Sequence, residues 1–359
     1  MREHDEVHLI HHISKRRFRL SAPAQASEHL AALLDTMRSG VQVDESGQAA
    51  ATALAGAGCE PALARSVLGQ LDQIGALVRE AGEPVRPNEL YERQVRFFRL
   101  FEDGNRTAAE MMERLQSAKV AVVGLGGQGS WLLFLLARIG VRSLVGVDGD
   151  VVERSNLSRQ VLYDESDIGR PKVLAARRAV HAIDPSIDYQ SVNVFVRTVD
   201  DLLPHLSGCD LVVNPFGYVP NRSLEVVDDA AWVAGVPSIV LGGSWVGPFR
   251  IGPGSPCYRC LLADPAIWPV INASQGSFVG RGADDAAGGP FAPRLAATGA
   301  VAANEVALYL SGARRPRSAD GVVVLDLFDF DRTHLRTVEV APGCRCARGR
   351  SAASRTGGS

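Results

Sequence analysis

Residues 119–160 read KVAVVGLGGQGSWLLFLLARIGVRSLVGVDGDVVERSNLSRQ, and this stretch predicts the fold of the chain. The β-branched run at 121–123 is typical of a strand buried in a parallel sheet, and the apolar run at 131–139 predicts a helix. Glycines stand between them at four positions, three of which form a GxGxxG motif: Gly124, Gly126, Gly127 and Gly129. The pattern predicts a strand, a tight turn and a helix.

A glycine turn of this kind predicts a nucleotide site. Glycines let the backbone approach a phosphate closely, and the helix that follows offers unpaired N–H groups and the positive end of its dipole. A second predicted strand, residues 143–147, ends at Asp148, about twenty residues after the glycines, where a carboxylate can accept hydrogen bonds from ribose hydroxyls. A dehydrogenase would show the same glycines and the same acid.

The residues after Asp148 separate two classes of nucleotide enzyme. They form a largely polar and cationic set: Asp150, Asn156, Arg159, Gln160 and Lys172. A hydride-transfer enzyme has no need of cations beyond the ribose. An enzyme that cleaves ATP between its α and β phosphates must neutralise charge as pyrophosphate leaves. The set therefore favours ATP cleavage.

The order of these motifs resembles the E1-like, ThiF/MoeB-type adenylating superfamily. The resemblance covers roughly residues 90–347 and rests on YERQ at 91–94, GLGGQGS at 124–130, DGDVVERSNLSRQ at 148–160, GRPK at 169–172 and CYRC at 257–260. It implies an α/β fold with a Rossmann-like, mostly parallel sheet, flanking helices and a zinc knuckle. It also implies ATP and Mg²⁺ as cofactors and adenylyl transfer as the reaction.

Individual roles follow from the same resemblance. Arg93 matches an arginine that reaches across a homodimer to the neighbour's phosphates; an ordinary surface arginine is the alternative. The catalytic residues implied are Arg93, Arg159 and Lys172. The cofactor-binding residues implied are Gly124, Gly126, Gly127, Gly129, Asp148, Asp150, Asn156 and Gln160.

One position departs from the family pattern. In most members the strand matching 211–214 leads into an aspartate that helps to hold Mg²⁺, whereas Gly217 stands at the expected position here. Removing that carboxylate could greatly slow adenylyl transfer, because the ion neutralises charge on the phosphates. Three outcomes stay open: Asp148 or Asp150 retains Mg²⁺ with the phosphates, nucleotide binds weakly, or activity is lost.

Four of the six cysteines form two close pairs, Cys257 with Cys260 and Cys344 with Cys346. Four thiolates suit a closed tetrahedral zinc site, which is structural because it leaves no position for water. A disulfide between the pairs is the alternative, and a reducing compartment disfavours it. The Gly-, Ala- and Pro-rich region 263–299 predicts a mobile loop that crosses the active site, and it holds no cysteine for thioester transfer.

The N-terminal region differs from the rest of the chain in its pattern of predicted strands and helices. Its periodicity predicts strands at 7–13 and 17–20 and helices at 27–37, 46–54 and 60–74. This predicts a small winged-helix-like α+β domain, and the region resembles the recognition-element domains of ribosomal peptide modification enzymes. Those domains bind a leader peptide by adding its strand to a sheet edge. A helical decoration that thickens a dimer interface is the alternative.

Length and charge set the remaining expectations. A chain of 359 residues predicts two domains, which we place at 1–88 and 89–348, followed by a disordered tail at 349–359. A net charge of −2 gives no basic field for nucleic acid or a membrane surface. The N-terminus lacks the apolar core of a signal peptide, so we expect a cytoplasmic protein.

The leading hypothesis is ATP-dependent adenylation of the C-terminal carboxylate of a ribosomally made precursor peptide by a homodimer. A second hypothesis is a non-catalytic, leader-binding partner of a separate modifying enzyme. A third is the adenylation of a sulfur carrier protein, which fits the nucleotide core but does not explain the N-terminal domain.

Overall fold

The computed structural model describes residues 89–102, 106–215, 222–267, 269 and 291–347, together with the backbone of 2–3, 6–10 and 17–21 and five helical residues between 62 and 70. The chain divides into two compact units, Met1–Glu110 and Met111–Ser359. The predicted boundary after residue 88 and the predicted tail lie outside the described residues, so both stay predictions.

The first unit contains a three-stranded antiparallel sheet of β1 (Arg2–Glu3), β2 (Glu6–Ile10) and β3 (Arg17–Ser21), in the order β1-β2-β3. The two predicted strands are confirmed at 6–10 and 17–21. Helix α1 (Glu92–Phe98) belongs to the same unit. The described residues between 62 and 70 are helical, as predicted, while the predicted helices at 27–37 and 46–54 lie outside the described residues.

The second unit is built on an eight-stranded sheet. Its strands are β4 (Lys119–Val123), β5 (Ser143–Val147), β6 (Asp188–Val192), β7 (Leu211–Asn214), β8 (Ser238–Gly242), β9 (Trp245–Arg250), β10 (Gly321–Val324) and β11 (His334–Thr337). They lie in the order β11-β10-β9-β8-β7-β4-β5-β6. The five strands from β8 to β6 are parallel, and β9, β10 and β11 extend the sheet with antiparallel pairs. The predicted Rossmann-like, mostly parallel sheet is confirmed.

Helices cover this sheet. They are α2 (Ala108–Ser117), α3 (Gly127–Ile139), α4 (Lys172–Ile183), α5 (Val199–Leu202), α6 (Arg222–Ala234), α7 (Tyr258–Ala263) and α8 (Ala292–Ser311). Helix α3 packs against α4 and α8, whereas α5 packs against α6. Alternate residues of β4, Ala121 and Val123, join a buried cluster with Val227 and Ala230 of α6. Buried side chains on both faces explain the continuous apolar sequence of β4.

The centre of the parallel region is a topological switch point. Strand β4 pairs with β5 on one side and with β7 on the other, so the chain leaves the centre in opposite directions. In open α/β sheets the crevice beside the carboxyl ends of such strands is where ligands bind. The glycine turn directly follows β4 and lies at this crevice.

The predicted loop at 263–299 extends too far at its C-terminal end, where the helix that the sequence also predicts at 294–310 is confirmed as α8. Ala263 closes α7, and α8 begins at Ala292, because Pro293 suits a first helical turn and the alanines that follow favour helix. Residues 270–290 lie outside the described residues. Within the described part of the chain, each helix is too short or too polar to cross a bilayer.

Candidate active site and metal site

Gly124 and Gly129 are required by the fold itself, and Gly127 packs against a side chain that can move. Gly124 has a φ of 104°, which disfavours any side chain, and its N–H donates to the carbonyl of Val147 over 2.7 Å. A Cβ on Gly129 would stand 1.8 Å from the carbonyl oxygen of Gly124. A Cβ on Gly127 would stand 2.4 Å from Cδ1 of Leu295. The turn is therefore closed by contact with its own backbone and with helix α8.

Gly126 is different because it faces open space. No heavy atom lies within 4 Å of the position that its Cβ would occupy, and its φ is negative, at −72°. It stands at the N-cap of α3, has no side-chain cap, and its carbonyl accepts the first helical bond from the N–H of Ser130 at 2.9 Å. The N–H groups of the first turn thus have no intrahelical partner, and together with the helix dipole they suit a phosphate.

Asp148 organises this turn from the end of β5. Its Oδ2 accepts from the N–H of Leu125 at 2.7 Å, and its Oδ1 accepts from the N–H of Asp150 at 2.8 Å. An ionised carboxylate has about four acceptor positions, so two bonds leave room for ribose hydroxyls. The residue predicted to bind the ribose also holds the glycine turn in place.

Lys172 begins helix α4 and lies next to Asp150. Its Nζ is 2.8 Å from Oδ2 of Asp150, with 7% of the lysine side chain exposed and 53% of the aspartate side chain. The backbone repeats the link, because the N–H of Lys172 donates to the carbonyl of Asp150 at 2.9 Å. A nearly buried ammonium is thereby held, with its charge paired, at the carboxyl edge of the sheet.

The loop between β5 and α4 carries the other predicted phosphate residues. Asn156 is buried and caps a 3₁₀ turn, accepting from the N–H of Glu153 at 3.2 Å. The guanidinium of Arg159 donates to the carbonyl of Ser155 at 2.6 Å. Gln160 is 4% exposed, and its Oε1 has no hydrogen-bond partner among the described residues. A buried acceptor without a donor is costly, and a ligand or water that donates would satisfy it.

Sequence reasoning missed three residues here: Tyr163 and Trp131 tie the loop to the turn and to helix α3, and Gln128 ties α3 to β8 and α8. The hydroxyl of Tyr163 donates to the carbonyl of Leu125 at 2.9 Å, and the indole N–H of Trp131 donates to the carbonyl of Arg159 at 3.2 Å. The amide of Gln128 donates to the carbonyl of Gly242 and, at 2.9 Å, to the hydroxyl of Thr298. Polar groups within an apolar helix, such as Gln128 and Trp131, were the signal available in the sequence.

Hydrogen bonds thus form a continuous chain from Lys172 through Asp150 and Asp148 to Leu125, and from there to Tyr163. The structure brings together the predicted glycines, both aspartates, Lys172 and the loop 156–160. Arg93 is an exposed residue of α1 in the first unit, and its action in a homodimer stays a prediction. Gly217 lies outside the described residues, and the predicted ligand roles of all these residues also stay predictions.

The carboxylates near the glycine turn are the side chains that could contact Mg²⁺ in this site. Among the described residues within three positions of the carboxyl ends of β4, β5 and β7, the carboxylates are Asp148 and Asp150. Asp148 already accepts two backbone N–H groups and Asp150 pairs with Lys172, yet half of the Asp150 side chain is exposed. Asp150 is therefore the carboxylate better placed to contact a hydrated Mg²⁺ on the phosphates.

The four predicted zinc ligands do converge. The Sγ atoms of Cys257, Cys260, Cys344 and Cys346 all lie within 4.8 Å of one another, and the closest pairs are 3.3 to 3.9 Å apart. Thiolates at about 2.3 Å from one zinc ion would be about 3.8 Å apart, whereas a disulfide needs about 2.05 Å. All four cysteines are free thiols. The cluster fits a closed tetrahedral zinc site, and the distances between its sulfur atoms are those of free thiols and too long for disulfide bonds.

Burial and hydrogen bonding shift the pKa values of these thiols in opposite directions. A hydrogen bond from Cys257 lowers the pKa of Cys260 to about 4, and the N–H of Ala341 also donates to its sulfur at 3.4 Å. Burial raises the pKa of Cys346 to about 12. Arg345 next to the cluster pairs with Asp228 of α6 at 2.9 Å, which fastens the knuckle to the domain.

Comparison with known proteins finds similarity to the ThiF family and to two of its relatives. The model of the ThiF family matches residues 91–346. The sulfur carrier protein adenylyltransferase of Thermus thermophilus is 33% identical over 246 residues, covering 66% of this chain and 84% of that protein. The SAMP-activating enzyme E1 of Haloferax volcanii is 38% identical over 156 residues, and this match spans 42% of the chain and 56% of that relative.

Solved structures match over a longer part of the chain. Escherichia coli MccB, crystallised with AMPCPP and MccA, superposes with a TM-score of 0.69 at 19% identity and covers 92% of both chains. The microcin C7 biosynthetic enzyme MccB in complex with N-formylated MccA gives a TM-score of 0.68 at 18% identity, covering 92% of this chain and 93% of that one. At these identities the likeness establishes the fold.

Proposed function

Because the chain belongs to the ThiF family and is an adenylating enzyme, we propose that its substrate is the C-terminal carboxylate of a ribosomally made peptide. A carboxylate oxygen of the peptide attacks the α phosphorus of ATP. The bond from that phosphorus to the bridging oxygen breaks, pyrophosphate leaves with its electron pair, and an acyl-adenylate remains.

The observation that carries the peptide substrate is the extent of the match. The ThiF family model matches residues 91–346, whereas the superposition with MccB spans 92% of this chain and so extends beyond that range, and MccA accompanies MccB in its crystals. A shared architecture outside the adenylating domain supports a shared kind of substrate. We further propose that the first unit binds the leader of the peptide at an edge of the β1-β2-β3 sheet.

The residues of the second unit take the following parts. The first-turn N–H groups of α3 bind the phosphates beside Gly126, and Asp148 accepts the ribose hydroxyls. Lys172 and Arg159 supply positive charge to the departing pyrophosphate, and because both are held in place by hydrogen bonds this charge is preorganised. Magnesium, when bound at Asp150 and the phosphates, would supply further charge neutralisation. The four cysteines hold a structural zinc ion.

ATP–pyrophosphate exchange with the full chain tests the substrate. We would compare a peptide with a free C-terminus, the same peptide as its C-terminal amide, and the same peptide without its N-terminal leader. Exchange is expected with the free acid only, and removal of the leader should raise KM while leaving kcat nearly unchanged. Exchange with the amide would rule out attack by the C-terminal carboxylate.

A sulfur carrier is the second candidate, and the identity of 33% to the Thermus sulfur carrier protein adenylyltransferase favours it. A small protein that ends in Gly-Gly would be added to the same assay. Exchange with that protein, and none with peptides, would overturn the peptide proposal. Leader binding without exchange would instead favour a non-catalytic role, which Gly217 also suggests because it stands at the position of the expected Mg²⁺-binding aspartate.

A further inference from the structure

The peptide group of Leu125 lies between the first two glycines of the turn and is held from both sides. Its N–H donates to Oδ2 of Asp148 at 2.7 Å, and its carbonyl accepts from the hydroxyl of Tyr163 at 2.9 Å. Leu125 is fully buried, so water cannot replace either partner. The orientation of this peptide group sets the direction in which the backbone enters Gly126.

Tyr163 belongs to the loop that carries Asn156, Arg159 and Gln160. Its N–H donates to the carbonyl of Gln160 at 3.5 Å, so the ring follows that loop directly. The bond from the ring to Leu125 therefore spans two halves of the site, the glycine turn and the polar loop. The indole of Trp131 gives a second tie, through the carbonyl of Arg159.

The hydroxyl of Tyr163 acts as a donor at every working pH. Burial raises the pKa of this phenol well above its usual value, and the negative charge of Asp148 raises it further. The bond is therefore a permanent O–H donation to a backbone carbonyl, and the phenol takes no part in proton transfer.

We infer that Tyr163 is a positioning residue, which fixes the distance between the phosphate-facing N–H groups of the glycine turn and the loop holding Asn156, Arg159 and Gln160. The inference rests on the adenylation chemistry and is independent of which carboxylate is activated. It gives Tyr163 a part in nucleotide affinity without any contact to the nucleotide.

The matched control is Tyr189. Its ring is also buried, with 4% exposed against 7% for Tyr163, and Asp148 raises the pKa of both phenols. The hydroxyl of Tyr189 has no hydrogen-bond partner among the described residues. Tyr163→Phe removes a hydrogen bond and Tyr189→Phe removes none, although each change deletes one phenol hydroxyl.

The experiment measures the Kd of ATP for the full-length wild type, Tyr163→Phe and Tyr189→Phe by calorimetry, beside thermal unfolding. Loss of one buried hydrogen bond is expected to weaken ATP binding about 5- to 10-fold in Tyr163→Phe, with less than about twofold change in Tyr189→Phe. The pH profiles of pyrophosphate exchange for the wild type and Tyr163→Phe should run parallel from about pH 6 to 9, since the raised pKa of this phenol keeps it protonated throughout that range.

Several outcomes would overturn the inference. An unchanged Kd in Tyr163→Phe, with or without a lower Tm, would show a merely structural phenol. An equal loss of affinity in Tyr189→Phe would show a general effect of the missing hydroxyl. Undetectable ATP binding by the wild type would show that the glycine turn and the polar loop do not form an ATP site. Failure of exchange with a peptide leaves the ATP measurements intact and bears only on the proposed substrate.

Discussion

Replacing Gly126 and Gly129 by alanine separates the part of the glycine turn that serves the fold from the part that serves the ligand. A Cβ on Gly129 would lie 1.8 Å from the Gly124 carbonyl and 3.2 Å from Cγ of Pro215, and backbone cannot move aside as a flexible side chain can. Overpacking of this kind costs about 3 kcal/mol, the upper part of the usual range. For a domain of this size that lowers the Tm by about 6 to 12 °C.

Gly126→Ala should behave in the opposite way. The new methyl group meets no protein atom within 4 Å, so Gly126→Ala should lower stability much less than Gly129→Ala, by about 1 kcal/mol. The same methyl group occupies the open side of the turn, where the phosphate must approach. We expect at least a tenfold loss of ATP affinity, equivalent to about 1.4 kcal/mol.

Calorimetry with a non-hydrolysable ATP analogue and thermal unfolding together test both variants. Gly252→Ala is the control, because Gly252 also has nothing within 4 Å of its Cβ position and stands outside the turn. It should match the wild type in both measurements. Wild-type ATP affinity in Gly126→Ala would refute the argument, since phosphate would then bind elsewhere than beside this glycine.

The other predictions concern metal, charge and pH. The purified chain should contain about one zinc ion, and Cys346→Ser or a strong chelator should remove it and lower the Tm; wild-type protein without zinc would contradict the site. Lys172→Met should slow pyrophosphate exchange about 100-fold or more, with a normal circular dichroism spectrum, and a loss under about threefold would show that this ammonium is dispensable. The pKa of Asp164 is lowered to about 2 by hydrogen bonds from Ser166 and then Arg178, so its stabilising effect is present above about pH 4 and is lost as the pH falls toward 2. Ser166→Ala should raise this pKa in an NMR titration and move acid unfolding to higher pH; an unchanged titration would contradict the assigned cause.

Local patterns in the sequence were sufficient for the parts of the structure that depend on neighbouring residues. The strand, glycine turn and helix were predicted because β-branched runs, glycine spacing and apolar periodicity are local properties. The cysteine cluster was predictable because two short motifs supply all four ligands. Strand β9 was not predicted, since its sequence WVGPFR contains a glycine and a proline that usually exclude a strand interior.

Contacts across long separations were beyond the reach of pattern reasoning. The bond from Tyr163 to Leu125 joins residues 38 positions apart, and the bonds of Gln128 to Gly242 and Thr298 join residues 114 and 170 positions apart. A tyrosine followed by polar residues shows no sign of its partner. Such a contact is visible only after the sheet order has placed the loop beside the turn.

Asp148 accepts hydrogen bonds from two backbone N–H groups. This explains why the glycine motif and its acid do not by themselves distinguish an ATP-cleaving enzyme from a dehydrogenase. The Asp148 carboxylate holds Leu125 and Asp150 through backbone N–H groups, and any nucleotide-binding turn of this shape would need that support whatever reaction follows. A substitution at Asp148 would therefore disturb the turn and the ribose contact together. The ammonium of Lys172, paired beyond the ribose with Asp150, is the feature that a hydride-transfer site has no use for, so it is at Lys172 that the chemistry should be tested.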